Sequence, residues 1–419
     1  MTIDAAAAVV DTQGFRRAED MPLARRLVAL GFLCLGYFFY AWSWNTVDIL
    51  RPYIAESLEL RLPQVGSLYS AQALGALAGA IINGQLADRF GRRNALMVVW
   101  IGFGAMLIAG IFVQNYPQAL IQRALMGYFM GSMYPITVGL YVALFSPDIR
   151  GRIASVVLGI YSAAVSALGF AAAAIFKAGL DWRLLLWAGA VPIVCAFAAP
   201  LFIPDDKRTI PWGGAATTST AAGKLPIAEL FAPIYRSQTA MLALMTGLNF
   251  FAFQAFNGWA TTYLKTTRGF ADADVQTTVA FLSVGGIAGG FFWGWFGDRF
   301  GRRMSALGFL AGAALVVVYL FAPLGPRELS IVAFTYGAAI SCSVIWGPWL
   351  TELYPAHLRS TAASIFNWGR IISFFAPLAT GALAEEVGLT FTMLLASIIF
   401  AAAALVWLRL PETLVRRRA

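Results

Sequence analysis

The sequence predicts an all-α membrane protein of twelve transmembrane helices, arranged as two pseudo-symmetric six-helix bundles with both termini cytoplasmic. Three observations carry that reading. Hydrophobic residues make up 59% of the 419 positions and charged residues 12%, against roughly 25% charged in a soluble domain. Lipid must therefore cover much of the apolar surface. Runs near the roughly 20 apolar residues needed to cross a bilayer can be placed twelve times. One ten-residue signature also occurs twice, beginning at Gly84 and at Gly294, 210 positions apart, which marks a duplicated half.

In chain order the expected spans are 27–54, 64–87, 94–113, 117–146, 153–177 and 183–203, then 237–264, 275–297, 304–322, 328–354, 360–384 and 389–409. They divide the chain into a cytoplasmic tail (1–26), an N-terminal bundle (27–203), a cytoplasmic linker (204–236), a C-terminal bundle (237–409) and a second tail (410–419). The orientation follows from the basic residues, which crowd the tails, the linker and the loops on one side. The segment before Leu27 has acidic residues and no cleavable signal pattern, so the first helix is expected to stay as an anchor. The linker is rich in Pro, Gly, Ala, Thr and Ser, and 225–231 is expected to form a short interfacial helix. The net charge of +9 is scattered over short loops, which speaks for membrane topology and against a nucleic-acid partner. Cys34, Cys195 and Cys342 fall in three spans without a pair motif, so packing is expected of them and neither a disulfide nor a metal site.

The signature reads G-x3-D-R-F-G-R-R. Its first copy is Gly84, Asp88, Arg89, Gly91, Arg92 and Arg93; its second is Gly294, Asp298, Arg299, Gly301, Arg302 and Arg303. The glycines suit close packing and a tight turn between two helices. A carboxylate at that edge can cap a helix N-terminus or pair with an arginine in one conformation only. Such a pair gates a two-state protein, whereas positive-inside anchoring alone needs neither the glycines nor the aspartate.

Polar residues inside spans are few, and each costs about 2.5–3.5 kcal/mol on insertion scales when charged. On the first helix Trp44, Asp48 and Arg51 share a face, with Asn45 on the adjoining stripe. An offset of 209 places Asn45 on Gln254 and Asp48 on Asn257 in the seventh helix, so both halves carry a polar pair at the same spacing. Arg123 on the fourth helix sits at a depth comparable to Asp48, which makes an Asp48–Arg123 pair the expected proton-coupling element. Arg370 lies about 16 Å into the eleventh helix, counted from Arg359 at 1.5 Å per residue. It is expected to hold a substrate carboxylate, with Asn367 one turn away. Trp346 and Trp349, with Trp259 and Phe256, are candidates to line a cavity.

The two loops resemble the signature of the major facilitator superfamily. Arg123, Gly127, Gly131 and Pro135 form R-x3-G-x3-G-x3-P, similar to that superfamily's fourth-helix motif. Glu352, Pro355 and Arg359, and Pro411-Glu412-Thr413, resemble its sugar-porter and organic-acid:proton symporter branches. Departures are visible: Ala143 and Leu144 stand where the first half should carry an acid before Pro147. Only Gln254 and Asn257 answer the sugar porters' paired glutamines. Trp259 to Tyr263-Leu264 is closer to the W-x-P-x-Y-L of organic-anion symporters, without its proline. The resemblance implies alternating access at a cavity lined by helices 1, 4, 7 and 10. The motifs and the intramembrane arginines together lead to an expected proton-coupled uptake of a small organic anion such as an aromatic acid. A sugar or polyol symporter and a proton-driven efflux antiporter remain the alternatives. The partners are then substrate, protons and lipid, with the proton gradient as energy source in place of a cofactor. A monomer in a bacterial cytoplasmic membrane is expected. Enzyme chemistry is not, because the one histidine, His357, sits in a loop and no G-x4-G-K-[ST] run occurs.

Overall fold

In a computed structural model the chain is described over 16–213, 226–355, 358 and 365–413, excluding the side chains of Arg16, Asp88, Pro226, Ile227, Pro348, Thr351, Phe366, Asn367, Trp368 and Arg370. Arg359 and His357 lie outside the described residues, as do the side chains of Asp88, Asn367 and Arg370.

The first half comprises α1 (Leu23–Ile49), α2 (Arg51–Ser57), α3 (Leu62–Phe90), α4 (Arg92–Ala109), α5 (Tyr116–Met130), α6 (Met133–Leu144), α7 (Pro147–Lys177) and α8 (Ala190–Phe202), with a 3-10 segment Trp182–Gly189 before α8. The second comprises α9 (Pro226–Glu229), α10 (Arg236–Asn257), α11 (Ala260–Thr262) running into a π turn (Tyr263–Thr267), α12 (Asp272–Phe300), α13 (Leu307–Phe321), α14 (Pro326–Ile340), α15 (Trp346–Glu352), α16 (Ile365–Val387) and α17 (Leu389–Arg409). Arg16–Arg17 and Thr209–Ile210 pair as two short parallel strands. The expected interfacial helix at 225–231 is only the four residues of α9.

Ten helices among the described residues are long and apolar enough to cross a bilayer. The expected fourth span is not one continuous helix: α5 ends at Met130 and α6 begins at Met133. Glycines explain how its first half packs. A Cβ on Gly127 would lie 1.9 Å from the carbonyl oxygen of Gln72, and one on Gly75 would lie 2.0 Å from that of Ala124. Shifted by 210 positions, Gly337 meets Leu282 at 1.9 Å and Gly285 meets Phe334 at 1.9 Å. The α3/α5 and α12/α14 seams thus bring backbones into contact through the same residue pairs, as small residues permit within a membrane.

The chain forms two compact units that differ from the sequence halves. The first comprises the described residues of Met1–Asn45, Ala71–Ala164 and Arg183–Thr220. The second comprises those of Thr46–Ser70, Val165–Trp182 and Ala221–Ala419. The end of α1 and the whole of α2 therefore belong with the C-terminal helices. The Ser70 hydroxyl donates to the Phe374 carbonyl at 2.6 Å, and Arg61 pairs with Glu385 at 2.8 Å. Lys265 joins Glu56 at 2.8 Å and Asp272 at 3.3 Å.

The aromatic core of the second unit corrects one expectation. Trp346 is fully buried, edge-on to Phe309 at 5.6 Å and 5.3 Å from Trp407, which stacks with Trp349 at 5.7 Å. Phe256 packs on Tyr319 at 5.0 Å and Tyr336 at 4.6 Å. These rings are core residues, because burying their large apolar faces against one another outweighs leaving them at a cavity wall.

Candidate functional site

Asp48 is the centre of the polar cluster in the second unit. Helix α1 stops at Ile49 because Pro52, near the start of α2, lacks the N–H that the Asp48 carbonyl would accept four residues on. That carbonyl is satisfied instead by the Thr261 hydroxyl, which donates at 2.8 Å, and the Ile49 carbonyl accepts from Gln276 Nε2 at 3.1 Å. The Asp48 side chain, 16% exposed, accepts from Gln254 Nε2 at 3.1 Å and forms an ion pair with Arg51.

Within this unit the carboxylate has Arg51 and Gln254 as partners; Arg123, the partner expected from the sequence, belongs to the other unit. Arg51 stands three residues on, at the turn into α2, so it reaches the carboxylate directly. Arg51, expected to contact substrate, has two guanidinium nitrogens, Nε and Nη1, with no hydrogen-bond partner among the described residues. Its side chain is 0% exposed, and its guanidinium carbon lies 4.5 Å from the centre of the Trp259 ring. Trp259 is fixed in turn by donating to Thr380 Oγ1 at 2.8 Å. Asp48 and Trp259 therefore use Arg51 from two sides, as an ion pair and a cation–π contact. Asn257 is likewise open to a ligand contact, since neither its amide nitrogen nor its amide oxygen has a hydrogen-bond partner among the described residues.

In the first unit Asn45 donates to the Ala41 carbonyl at 2.8 Å and to the Tyr161 hydroxyl at 3.0 Å. Arg123 is buried on α5 and donates to Gln72 Oε1 at 3.4 Å, while Gln72 Nε2 donates to the Trp44 carbonyl at 3.1 Å. Gln72 thus links α5 to α1 through α3. Nothing in the sequence pattern singled it out, because a lone glutamine in a span reads as neutral polarity.

The repeated loops are built alike. Gly91 and Gly301 have φ of 95° and 117°, the left-handed region that makes the turn a glycine position. Gly84 and Gly294 do not match the expectation of close packing, since an added Cβ would meet nothing within 4 Å among the described residues at either. Of the two roles expected of the loop aspartates, capping or pairing with an arginine, Asp298 takes the second, on Arg302, and other carboxylates supply the caps. Asp206 accepts from the backbone N–H of Arg92 at 2.7 Å and of Arg93 at 3.0 Å. Glu412 accepts from the N–H of Arg302 and of Arg303, both at 2.9 Å. Each carboxylate satisfies orphan donors at a helix start and meets its positive end. The signal in the string is an acid just after a proline that ends the last helix of each half, Asp206 two residues past Pro204 and Glu412 one residue past Pro411.

Around these caps Arg93 pairs with Asp205 at 3.1 Å, Arg92 donates to the Gly139 carbonyl at 3.2 Å and the Arg89 carbonyl accepts from Lys207. In the second copy Arg302 pairs with Asp298 at 2.5 Å and with Glu352 at 3.1 Å, and Thr413 donates to Glu352. Burial works against the Arg302 charge, yet the hydrogen bonds and charges of Glu352 and Asp298 outweigh it and raise its pKa. Arg299 is exposed, its guanidinium 6.0 Å from the Phe300 ring centre, the posture of a membrane-edge anchor.

A duplicated helical half with paired, capped loops and a carboxylate set inside a span defines a membrane transporter. The sequence profile of the Major Facilitator Superfamily matches residues 33–370 and 242–419, and the chain belongs to that family of transporters. Among curated relatives, it is 26% identical over 396 residues to a probable 4-methylmuconolactone transporter of Cupriavidus pinatubonensis, covering 90% of this chain and 89% of that one. It is 24% identical to the 4-hydroxybenzoate transporter of Acinetobacter baylyi, covering 92% and 91%. The fold matches a bacterial homologue of the human lysosomal transporter Spinster in its inward-facing state (TM-score 0.78, 16% identity, 93% of this chain and 97% of that one). It also matches a D-xylose–proton symporter (TM-score 0.71, 19% identity, 93% and 98%).

Proposed function

We propose that this chain is a secondary active transporter that takes up an aromatic or related carboxylic acid together with protons, by alternating access, across a bacterial cytoplasmic membrane. The observation that carries the reading is Asp48, an intramembrane carboxylate bonded at once to the start of α2 through Arg51 and to α10 through Gln254. A proton on Asp48 removes the ion pair with Arg51, so protonation biases the outer end of α1 between two arrangements. Arg370 and Asn367 on α16 receive the substrate carboxylate, Asn257 a second polar group, and the capped loops hold one conformation. Two six-helix bundles (27–203 and 237–409), a cytoplasmic linker, twelve spans, cytoplasmic termini and a functional monomer complete the proposal. The names of the relatives, among them a cis,cis-muconate transport protein at 25% identity, support the acid class.

Purified protein in proteoliposomes, given an inwardly directed proton gradient, should accumulate labelled 4-hydroxybenzoate or cis,cis-muconate, and collapsing the gradient should stop it. Accumulation of D-xylose instead, or gradient-driven loss of a cationic dye, would assign the chain to the sugar or the efflux class.

A further inference from the structure

We infer that Arg51 is where proton and substrate meet: its Nε and Nη1 groups take the substrate's carboxylate beside Asp48, and the two carboxylates then hold one proton between them. The inference rests on the proposed acid transport. It adds the contact that couples the two, and a ratio of one proton per carboxylate.

Arg51 is held by partners that use only part of it. It is the first residue of α2 and is buried with Pro52, Tyr53 and Ile54. Its Nη2 pairs with Asp48 Oδ1, and the guanidinium carbon lies 4.5 Å from the centre of the Trp259 ring. A contact over the face leaves the N–H groups, which point out in the guanidinium plane, for other acceptors. Nε and Nη1 have no hydrogen-bond partner among the described residues, although the side chain is 0% exposed. Buried donors are normally met. Two unmet nitrogens on one buried cation, at the break between α1 and α2, mark a place for an acceptor from outside the chain.

The neighbouring charges select that acceptor. Lys265 of the π turn already pairs with Glu56 at 2.8 Å and Asp272 at 3.3 Å, and stands 4.1 Å from the centre of the Tyr53 ring. Asp48 is the one counter-ion of Arg51 among the described residues. It is 16% exposed where Arg51 is 0% exposed, so a molecule arriving at the pair meets Asp48 first. An anion there sets two negative groups against one arginine in a medium of low dielectric, and one added proton relieves the repulsion.

The balance is simple. Before loading the site holds an ionised Asp48 and the Arg51 cation. Afterwards it holds a neutral Asp48, the Arg51 cation and the substrate anion, so its net charge is unchanged. The proton forms an O–H bond on one carboxylate and donates to the other. Protonating Asp48 alone would leave Arg51 as an unmatched buried cation, so proton and acid each depend on the other. A carboxylate offers about four lone-pair sites, and the contact proposed for Arg370 stands beside this one.

The test is calorimetric titration of the full-length protein in detergent with 4-hydroxybenzoate, in phosphate and in Tris at the same pH. The difference in heat counts the protons taken up. Wild type should take up about one proton per acid bound, and its affinity should fall about tenfold for each pH unit above neutrality. Asp48→Asn should bind the acid without proton uptake and with an affinity flat in pH. Arg51→Lys keeps the charge and loses the planar fork. It should bind about 5- to 150-fold more weakly while the proton count stays near one. In proteoliposomes a pH gradient should drive accumulation, and an inside-negative potential at equal pH should not. Binding without proton uptake, uptake that persists in Asp48→Asn, wild-type affinity in Arg51→Lys, or accumulation driven by potential alone overturns the inference and leaves the acid-transport reading standing. Failure of wild type to bind either 4-hydroxybenzoate or benzoate overturns both.

Discussion

Thr261 is the residue through which the break in α1 can be tested. The Asp48 carbonyl has no backbone donor because Pro52 has no N–H, and the Thr261 hydroxyl supplies the bond at 2.8 Å. Thr261 is 1% exposed, so Thr261→Val keeps the shape and leaves a buried acceptor unmet, at a cost of about 1–3 kcal/mol. That cost applies only while the end of α1 stays docked on α11. The undocked population should therefore rise about 5- to 150-fold, the range a coupling of that size produces.

The assay is the labelling rate of a single cysteine at Val47→Cys, in a background with Cys34, Cys195 and Cys342 replaced. Position 47 is 1% exposed in the last turn of α1, next to Asp48, so a water-soluble thiol reagent reads how often the end of α1 undocks. Pro52→Ala is the control, since it restores an N–H four residues after Asp48. In the Pro52→Ala background Thr261→Val should raise labelling far less, and that non-additivity identifies the carbonyl as the shared target. Unchanged labelling in Thr261→Val, or the same increase with Pro52→Ala present, would refute the argument.

Asp48→Asn should abolish accumulation driven by a proton gradient in proteoliposomes while leaving substrate counterflow largely intact, because exchange moves no net proton. Asp206→Ala and Glu412→Ala should each remove a helix cap, at a cost of about 0.5–2 kcal/mol, and slow transport, with substrate affinity measured by titration nearly unchanged. Asp298→Asn should slow transport too, by loosening Arg302, and Asp88→Asn should slow it more. Arg370→Lys should weaken binding of a carboxylate by about 1–3 kcal/mol while adding little to the already poor binding of its methyl ester, as read by calorimetry. Gly127→Ala should prevent folding, seen as loss of the monodisperse peak in detergent, because its Cβ would enter the Gln72 carbonyl.

The sequence made the family and the duplication legible because both rest on covalent order: motif spacing, span length and a 210-residue offset survive in the linear string. Asp48 and Gln254 were legible for a related reason, since a charge or amide inside an apolar run is conspicuous wherever it folds. Their partners were not. Arg51 lies three residues from Asp48, yet nothing in the string shows that it pairs with that carboxylate and rests on the Trp259 ring. Trp346 read as cavity lining because a helix number was known and its rotation was not. The caps at Asp206 and Glu412 were missed because an acidic residue just past a helix usually signifies a solvated chain end.

The two caps also bear on how such a chain could have arisen and how it can be cut. Asp206 and Glu412 each stand within a few residues of the last helix of a half, and each closes a loop of its own compact unit. Among the described residues, both caps are made by side chains that precede Ile210 and Thr413. A single ancestral half would thus have carried its own closing carboxylate, so that gene fusion needed only a spacer added after it. For the same reason the polypeptide should tolerate scission or insertion between 214 and 225, and a purification tag after 414. A truncation ahead of Glu412, although it removes only a polar tail by inspection of the string, would strip the second loop of the group that holds it shut.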